Sequence, residues 1–399
     1  MAHVWTHPCY ELGFQKHVDT LTPSQLAFPR LLHAWLGEPR HQLVIVAGGP
    51  GSGKTYTVTQ CLKHVQIPQL RMAYTARVAC KMQGQTIHSA MKLNWSKGSV
   101  LDTLFKKLEL ETDPQACIRK SSSLLREFQC HARPQIVVID EIGMVAHWLV
   151  YWIIQYFFQD SKPVLFVMMG DPNQLRPVKS EHNVFSVDMD MAVTRLDLVE
   201  SARFTPAYAA VVRELRHCVD ANNVTGMQSL ICQHFPVVPH IDAGLLKTCT
   251  RAMAHKTCTV ETYNNFYLKH LVPGPRIRLW NKDHDKYVDV KAGCHIFVTQ
   301  NGVSKALNGT PLTFVKYDPD KDWCECQEPI EKDLICIHRN GKGEFPIAVG
   351  YAGTIHKFQG DTMDDAAIAI NFDQSNNLHL MYTALSRVRT MQQIRAIQL

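Results

Sequence analysis

Four short apolar runs in the first half of the chain, at residues 43–47, 71–74, 136–139 and 164–169, each end in a polar or glycine-rich cluster. Each has strand length, and near-continuous apolar runs without in-out alternation suit strands covered on both faces of a parallel α/β sheet. Such sheets bind ligands at the C-terminal ends of their strands, so the clusters are where chemistry is expected. A second α/β set is expected beyond Leu196, with candidate strands at 244–250, 366–370 and 394–397. Between these, residues 291–350 change character. Short runs at 294–299 and 312–317, separated by Asn-Gly and Asp-Pro turn signals, predict a small β-rich insertion. Residues 91–133 are more polar and are expected to form a smaller insertion with helical pieces. The most apolar stretch, 142–158, contains His147 and Gln155 and falls short of a membrane span, which predicts a buried helix.

A chain of 399 residues exceeds one hydrophobic core and suits two or three domains. Its 46% hydrophobic and 20% charged residues exclude a disordered or fibrous class. Lys plus Arg exceed Asp plus Glu by 42 to 36, an excess that helps phosphate binding without demanding it. The first 14 residues show no basic start followed by an apolar run, and the 13 cysteines are odd in number and scattered. Reduced thiols in an intracellular protein, of cytoplasm or nucleus, are therefore expected.

The cluster after the first run is Gly48-Gly49-Pro50-Gly51-Ser52-Gly53-Lys54-Thr55, which fits the P-loop pattern between a strand and a helix. Its glycines let backbone N–H groups face anionic oxygens, Lys54 adds a point charge near the β/γ-phosphates, and Thr55 is placed to hold Mg²⁺. The third run ends in Asp140-Glu141. Asp140 is the expected second Mg²⁺-linked group, and Glu141 the base that orients and deprotonates an attacking water. After the fourth run comes Gly170-Asp171-Pro172-Asn173-Gln174-Leu175-Arg176-Pro177-Val178, where the Gln174 amide can sense a terminal phosphate. These residues predict an ATP hydrolase.

In their order, these motifs resemble the RecD/PIF-type branch of the superfamily 1 helicases, and the resemblance extends from Leu21 to Val388. Leu21-Thr22-Pro23-Ser24-Gln25 looks like the branch's adenine-reading segment, with Gln25 as the base contact. Thr75-Ala76-Arg77 and Thr86-Ile87-His88 are similar to first-lobe strand-contact motifs, which makes Thr75, Arg77, Thr86 and His88 DNA contacts. Tyr351-Ala352-Gly353-Thr354-Ile355-His356-Lys357-Phe358-Gln359-Gly360 resembles the motif coupling ATP to DNA, with Thr354, His356 and Phe358 toward the strand and Gly360 toward the nucleotide. Phe358 stands where family members usually carry a small residue, which leaves its DNA-side role open between base stacking and packing of the ring in the core. Tyr382-Thr383-Ala384-Leu385-Ser386-Arg387 matches the last motif, making Arg387 the arginine finger, and Arg203 resembles a second such arginine.

Val260, Asn264 and Leu268 match a spaced pattern in which Asn264 fixes a turn or a helix end. Gly293, Asn301 and Asn308-Gly309 resemble the branch's SH3-like insertion. The implied organisation is an extension at 1–20, a RecA-like lobe at 21–198, a second at 199–290 and 350–399, and the β insertion at 291–349. Gly143, where the family usually has Ser, and the lack of the eukaryotic signature before Gly170 favour a RecD-like or viral offshoot, with the host nucleus as the place for a viral one. The resemblance implies an ATP- and Mg²⁺-dependent DNA helicase moving 5′ to 3′ on single-stranded DNA and opening duplex junctions, with separate replication or repair proteins as partners. A viral superfamily 1 RNA helicase and a P-loop switch without unwinding are the alternatives. Cys324, Cys326, Cys336 and His338 carry soft ligands, but C-x-C spacing is better explained by a β-hairpin than by zinc. Trp95, Trp280 and Trp323 are read as packing residues rather than base platforms.

Overall fold

The computed structural model describes residues 7–11, 13–93, 98–109, 111–177, 180, 182–300, 302, 304–306, 308–329, 332–370 and 377–399. Two units divide the chain, Met1–Arg203 and Phe204–Leu399.

In the first unit, strands β1 (Gln42–Gly48), β2 (Gln69–Ala73), β3 (Gln85–Thr86), β4 (Ile136–Asp140), β5 (Leu165–Gly170) and β6 (Val193–Leu198) form a sheet in the order β3-β2-β4-β5-β1-β6. All its pairings are parallel. The four apolar runs are thus strands, and both their faces are covered. Val44 and Val46 of β1 join Phe28, Leu32 and Trp35 of the helix Ala27–Gly37 and Val58 and Leu62 of Lys54–Lys63. Leu43, Ile45 and Ala47 face the opposite way, into a core with Trp148, Ile153 and Phe157. The apolar stretch after β4 becomes a 3-10 turn, Ile142–Met144, and a buried helix, His147–Phe158. Among the described residues no helix is long and apolar enough to cross a membrane.

Segment 91–133 carries the helices Val100–Leu108 and Pro114–Lys120 and the 3-10 turn Ser122–Arg126. Ser99 Oγ accepts from the Asp102 N–H at 3.2 Å and Asp113 Oδ1 from the Gln115 N–H at 3.0 Å, so each helix starts at a side-chain cap. Leu101, Leu104, Leu108 and Leu124 then join the core beside Trp148.

The second unit holds β7 (Val237–Val238), β8 (Ala252–Ala254), β16 (Ala352–Thr354), β17 (Ala366–Ala369) and β18 (Ile394–Gln398), a parallel sheet ordered β16-β8-β17-β18-β7. The strand expected at 244–250 is a helix, Ala243–Lys247, and the strand lies just beyond it as β8. A short apolar run does not distinguish strand from helix. Asp242 decides it, because its Oδ1 accepts from the Leu245 N–H at 2.9 Å and caps a helical turn.

Asn264 also departs from expectation: it lies inside the helix Thr257–His270, not at a turn or helix end. Its Nδ2 donates to the Ala352 carbonyl at 3.0 Å and its Oδ1 accepts from the Ala352 N–H at 2.7 Å. One amide thereby satisfies both outward groups of a residue on the sheet's edge strand, the groups that an edge leaves unpaired.

Between these elements lie a hairpin, β9 (Ile277–Trp280) with β10 (Tyr287–Val290), and β11 (His295–Val298), β12 (Pro311–Asp318), β13 (Trp323–Gln327), β14 (Leu334–His338) and β15 (Ile347–Val349). The last five form an antiparallel sheet in the order β14-β13-β12-β11-β15. At Asn308-Gly309 the chain turns, with Gly309 at φ 86° and its N–H donating to the Val298 carbonyl at 2.7 Å; Asn301 lies outside the described residues. Cys324 and Cys326 point into the core with Ile296 and Phe314. Cys336 and His338 pair across from Glu325 and Trp323, on the other face of the sheet. The four soft ligands therefore do not converge, and alternation along two strands accounts for their spacing. Burial pushes the Cys326 thiol up to about 12, which leaves it protonated. Trp280 meets Tyr287 edge-on at 4.9 Å and Lys321 lies over Trp323 at 4.9 Å. Trp95 lies outside the described residues.

Candidate active site

The P-loop leaves the C-terminal end of β1, and two of its glycines adopt backbone angles that side chains disfavour, φ 76° at Gly51 and φ 81° at Gly53. A Cβ at Gly51 would fall 2.3 Å from Arg203 Cβ, and one at Gly53 would fall 2.4 Å from Gln25 Nε2. Close approach is thus as much the reason for these glycines as the turn. It brings Gln25 and Arg203, both singled out from sequence, against the loop. Gln25 Nε2 donates to the Ser52 carbonyl at 2.9 Å, and Gln25 Oε1 accepts from the Thr22 N–H at 3.0 Å. Lys54 curls over the loop, its Nζ donating to the Gly48 carbonyl at 2.7 Å and the Gly49 carbonyl at 3.1 Å. Phosphate oxygens, as charged acceptors, are the groups that would replace those carbonyls on the ammonium.

Thr55 Oγ1 donates to Asp140 Oδ2 at 2.6 Å, which joins the start of the P-loop helix to the end of β4. Burial first, and the neighbouring Glu141 charge next, push the Asp140 carboxyl up to about 6, against the Thr55 hydrogen bond. A buried carboxylate and hydroxyl side by side are hard oxygen donors of the kind Mg²⁺ prefers. Glu141 takes a left-handed backbone angle, φ 53°, with its N–H donating to Asp140 Oδ1 at 2.8 Å. Such a conformation costs energy in a non-glycine residue and turns the side chain away from the line of the strand. At the end of β5, Asp171 organises the third cluster. Its Oδ2 accepts from Gln174 Nε2 at 3.2 Å and its Oδ1 from the Asn173 N–H at 3.0 Å, and Gln174 itself is buried. Sequence reasoning assigned Gln174 a role and Asp171 none, although an Asp before Pro-Asn is a turn signal in its own right.

The strand-contact candidates of the first unit fall on two short helices beside this sheet edge. Thr75 and Thr86 are helix caps, accepting from the Val78 N–H at 3.4 Å and the Ser89 N–H at 3.2 Å. Each hydroxyl still has its proton to donate. Arg77 and His88 lie half-buried, and burial lowers the His88 imidazole to about 4, so it is neutral at physiological pH.

In the second unit Thr354 stands just before the 3-10 turn Ile355–Phe358. Thr354 and Lys357 help line a cavity of about 1000 Å³ together with Lys269, Arg276 and Tyr287. Burial, and then the charge of His255, lower the His356 imidazole from its ordinary value. Of the two roles that the sequence leaves open for Phe358, its surroundings fit packing. Its ring is 2% exposed, lies against Gly353 and meets Phe297 edge-on at 6.1 Å, so it is a packing residue. Gly360 takes φ 81° at the turn that follows. Arg387 Nε donates to the Thr383 carbonyl at 2.9 Å and its Nη2 to Ser386 Oγ at 2.8 Å.

Residues 34–180 match the family model described as AAA domain. The chain is 24% identical over 424 residues to the ATP-dependent DNA helicase Pif1 of Bdellovibrio bacteriovorus, covering 96% of this chain and 88% of that protein. It is 27% identical over 177 residues to an uncharacterized protein of Acanthamoeba polyphaga mimivirus, covering 41% of this chain and only 35% of the viral one. Among solved structures, Bacteroides Pif1 bound to single-stranded DNA superposes with a TM-score of 0.67 at 18% identity, covering 95% of this chain and 92% of that one. Over nearly its whole length the chain is thus similar in sequence to a Pif1 helicase, and its P-loop unit and second parallel-sheet unit share the fold of the Bacteroides one.

Proposed function

We propose that this chain is an ATP-dependent DNA helicase that travels 5′ to 3′ on one strand and separates duplex ahead of it. The observation that carries the reading is the 2.6 Å hydrogen bond from Thr55 to Asp140, with Glu141 next in the chain. It joins a phosphate cradle to a carboxylate pair suited to activating water. Two relatives add support: a near full-length one is named an ATP-dependent DNA helicase, and a Bacteroides Pif1 of the same fold is bound to single-stranded DNA.

In this reading Gln25 contacts the adenine and Gly48–Thr55 wraps the phosphates, with Gly360 contributing from the second unit. Lys54 exchanges the Gly48 and Gly49 carbonyls for β/γ-phosphate oxygens. Thr55 and Asp140 hold Mg²⁺, which neutralises phosphate charge when bound. Glu141 takes the proton of the attacking water, Gln174 senses the terminal phosphate, and Arg387 and Arg203 offset the developing negative charge. Thr75, Arg77, Thr86 and His88 in the first unit, and Thr354 and His356 in the second, hold the strand by phosphate and sugar contacts that carry no sequence information.

The test is unwinding of 5′-tailed and 3′-tailed DNA duplexes with ATP, with Lys54→Ala as the inactive control. Unwinding of the 5′-tailed duplex alone is expected. Failure on both tails overturns the helicase assignment, and success on the 3′ tail alone overturns the direction. Stronger stimulation of hydrolysis by RNA than by DNA would move the assignment to an RNA substrate.

A further inference from the structure

Three segments far apart in sequence close a ring of hydrogen bonds around Gln25: the turn at 22–25, the P-loop at 50–53, and the strap at 199–203 that follows β6. Glu200 ties the strap to the turn. Its carboxylate accepts from the Ser24 hydroxyl, from Thr22 Oγ1 at 3.2 Å and from the Ser24 N–H at 3.4 Å, while the Val199 N–H donates to Ser24 Oγ at 3.2 Å. The strap is fastened in turn to the P-loop. Ser201 Oγ donates to the Pro50 carbonyl at 2.9 Å and the Ala202 N–H to the Gly51 carbonyl at 3.1 Å.

The ring determines which end of the Gln25 amide is which. The Thr22 N–H requires an oxygen on one side and the Ser52 carbonyl an N–H on the other. Oε1 keeps a second lone pair and Nε2 a second hydrogen, which together complement the N6 amino donor and N7 acceptor of adenine. Guanine presents an acceptor, O6, where adenine presents a donor, and so sets two lone pairs against each other. Base choice thus depends on the orientation of Gln25, which depends on where Thr22 stands.

We propose that Glu200 is a positioning residue for base recognition: by holding the 22–25 turn against the P-loop strap, it keeps Gln25 in the orientation that accepts adenine and rejects guanine. The inference rests on the nucleotide-binding reading given above. The hydrogen bond from Ser24, followed by that of its own N–H, holds the Glu200 carboxyl below its ordinary value, so it acts purely as an acceptor at neutral pH.

Calorimetric titration of the full chain with ATP and with GTP tests it. Wild type is expected to favour ATP by at least about tenfold. In Glu200→Ala, loss of a charge-assisted tie should weaken ATP binding about tenfold and GTP binding less than about twofold, drawing the two affinities together. Glu200→Gln, with one carbonyl acceptor left for Ser24, should recover part of the preference. Adding Ser24→Ala to Glu200→Ala should cost less than the two single changes summed, because both remove the same hydroxyl–carboxylate contact. In hydrolysis assays the KM for ATP should rise with little change in kcat. Equal binding of ATP and GTP by wild type overturns the proposal. So does a Glu200→Ala protein in which both affinities fall by one factor together with the melting temperature, because that marks a merely structural role. If Glu200→Ala does not fold, Ser24→Ala carries the same expectation. A chain that discriminates bases through Glu200 yet unwinds neither tail keeps this inference and sinks the helicase reading; a chain that unwinds while Glu200→Ala leaves the ATP-to-GTP ratio untouched does the reverse.

Discussion

Replacing Asn264 by Ala should loosen the edge of the second unit's parallel sheet. Ala352 is 1% exposed, and Asn264 satisfies its carbonyl at 3.0 Å and its N–H at 2.7 Å. Truncation leaves both groups buried without that partner, and a buried polar group so left costs about 1–3 kcal/mol. The pair together should cost roughly 2–6 kcal/mol. At roughly 2–4 °C per kcal/mol for a unit of about 200 residues, the second unit's melting transition should fall by roughly 4–24 °C in scanning calorimetry. Asn264→Asp should do no better, since it keeps an acceptor for the N–H but sets a second carboxylate oxygen against the Ala352 carbonyl. Thr354 lies two residues along the same strand, so the concentration of DNA needed to stimulate hydrolysis should rise as well. A melting transition within about 1 °C of wild type would refute the reasoning, because an edge that tolerates the loss was never held by this amide.

Two further substitutions separate packing from contact. Phe358→Ala should cost about 3–5 kcal/mol as a cavity in a ring-lined core, while Phe358→Leu should bind single-stranded DNA as wild type does; full stability in the first with lost DNA affinity in the second would restore the stacking role. His88 should make the first unit acid-sensitive. Its imidazole titrates near about 4 when folded against 6.5 ordinarily, so above pH 6.5 neither state is charged and nothing is lost. Below that the unfolded chain binds a proton that the folded one refuses, and stability falls as pH drops toward 4, by about 2 kcal/mol at pH 5. His88→Gln should remove that share of the difference between melting curves at pH 7 and pH 5; an unchanged difference would mean the ring titrates normally.

The arrangement around the glycine loop was legible because each part is local. A strand, its glycine loop and the helix after it lie in one stretch of chain, Asp140 ends its own strand, and Gln174 follows its strand by four residues. Glu200 and Asn264 were not legible in the same way. Glu200 meets Ser24 across 176 positions, and Asn264 meets Ala352 across 88. No periodicity or spacing rule speaks to ties of that length. The error at 244–250 has a different origin. There the deciding signal was local and present, in Asp242, but an apolar run was given more weight than the capping residue before it. Phe358 is a different case, where a motif's address left two roles open and only the ring's surroundings separate them.

Thr75 and Thr86 show why a motif read for function and a signal read for structure can be the same feature. Each hydroxyl accepts an N–H three residues on, which starts a helix, and each keeps a proton that a phosphate oxygen could take. The cap holds the hydroxyl oxygen in place, so a strand contact made through it costs little further ordering of the side chain. Deleting either hydroxyl therefore removes a cap along with the proposed contact. The two losses separate only by comparison with Ser, which keeps both the cap and the donor, and with Asn, which caps through an acceptor and offers an amide N–H in place of the hydroxyl.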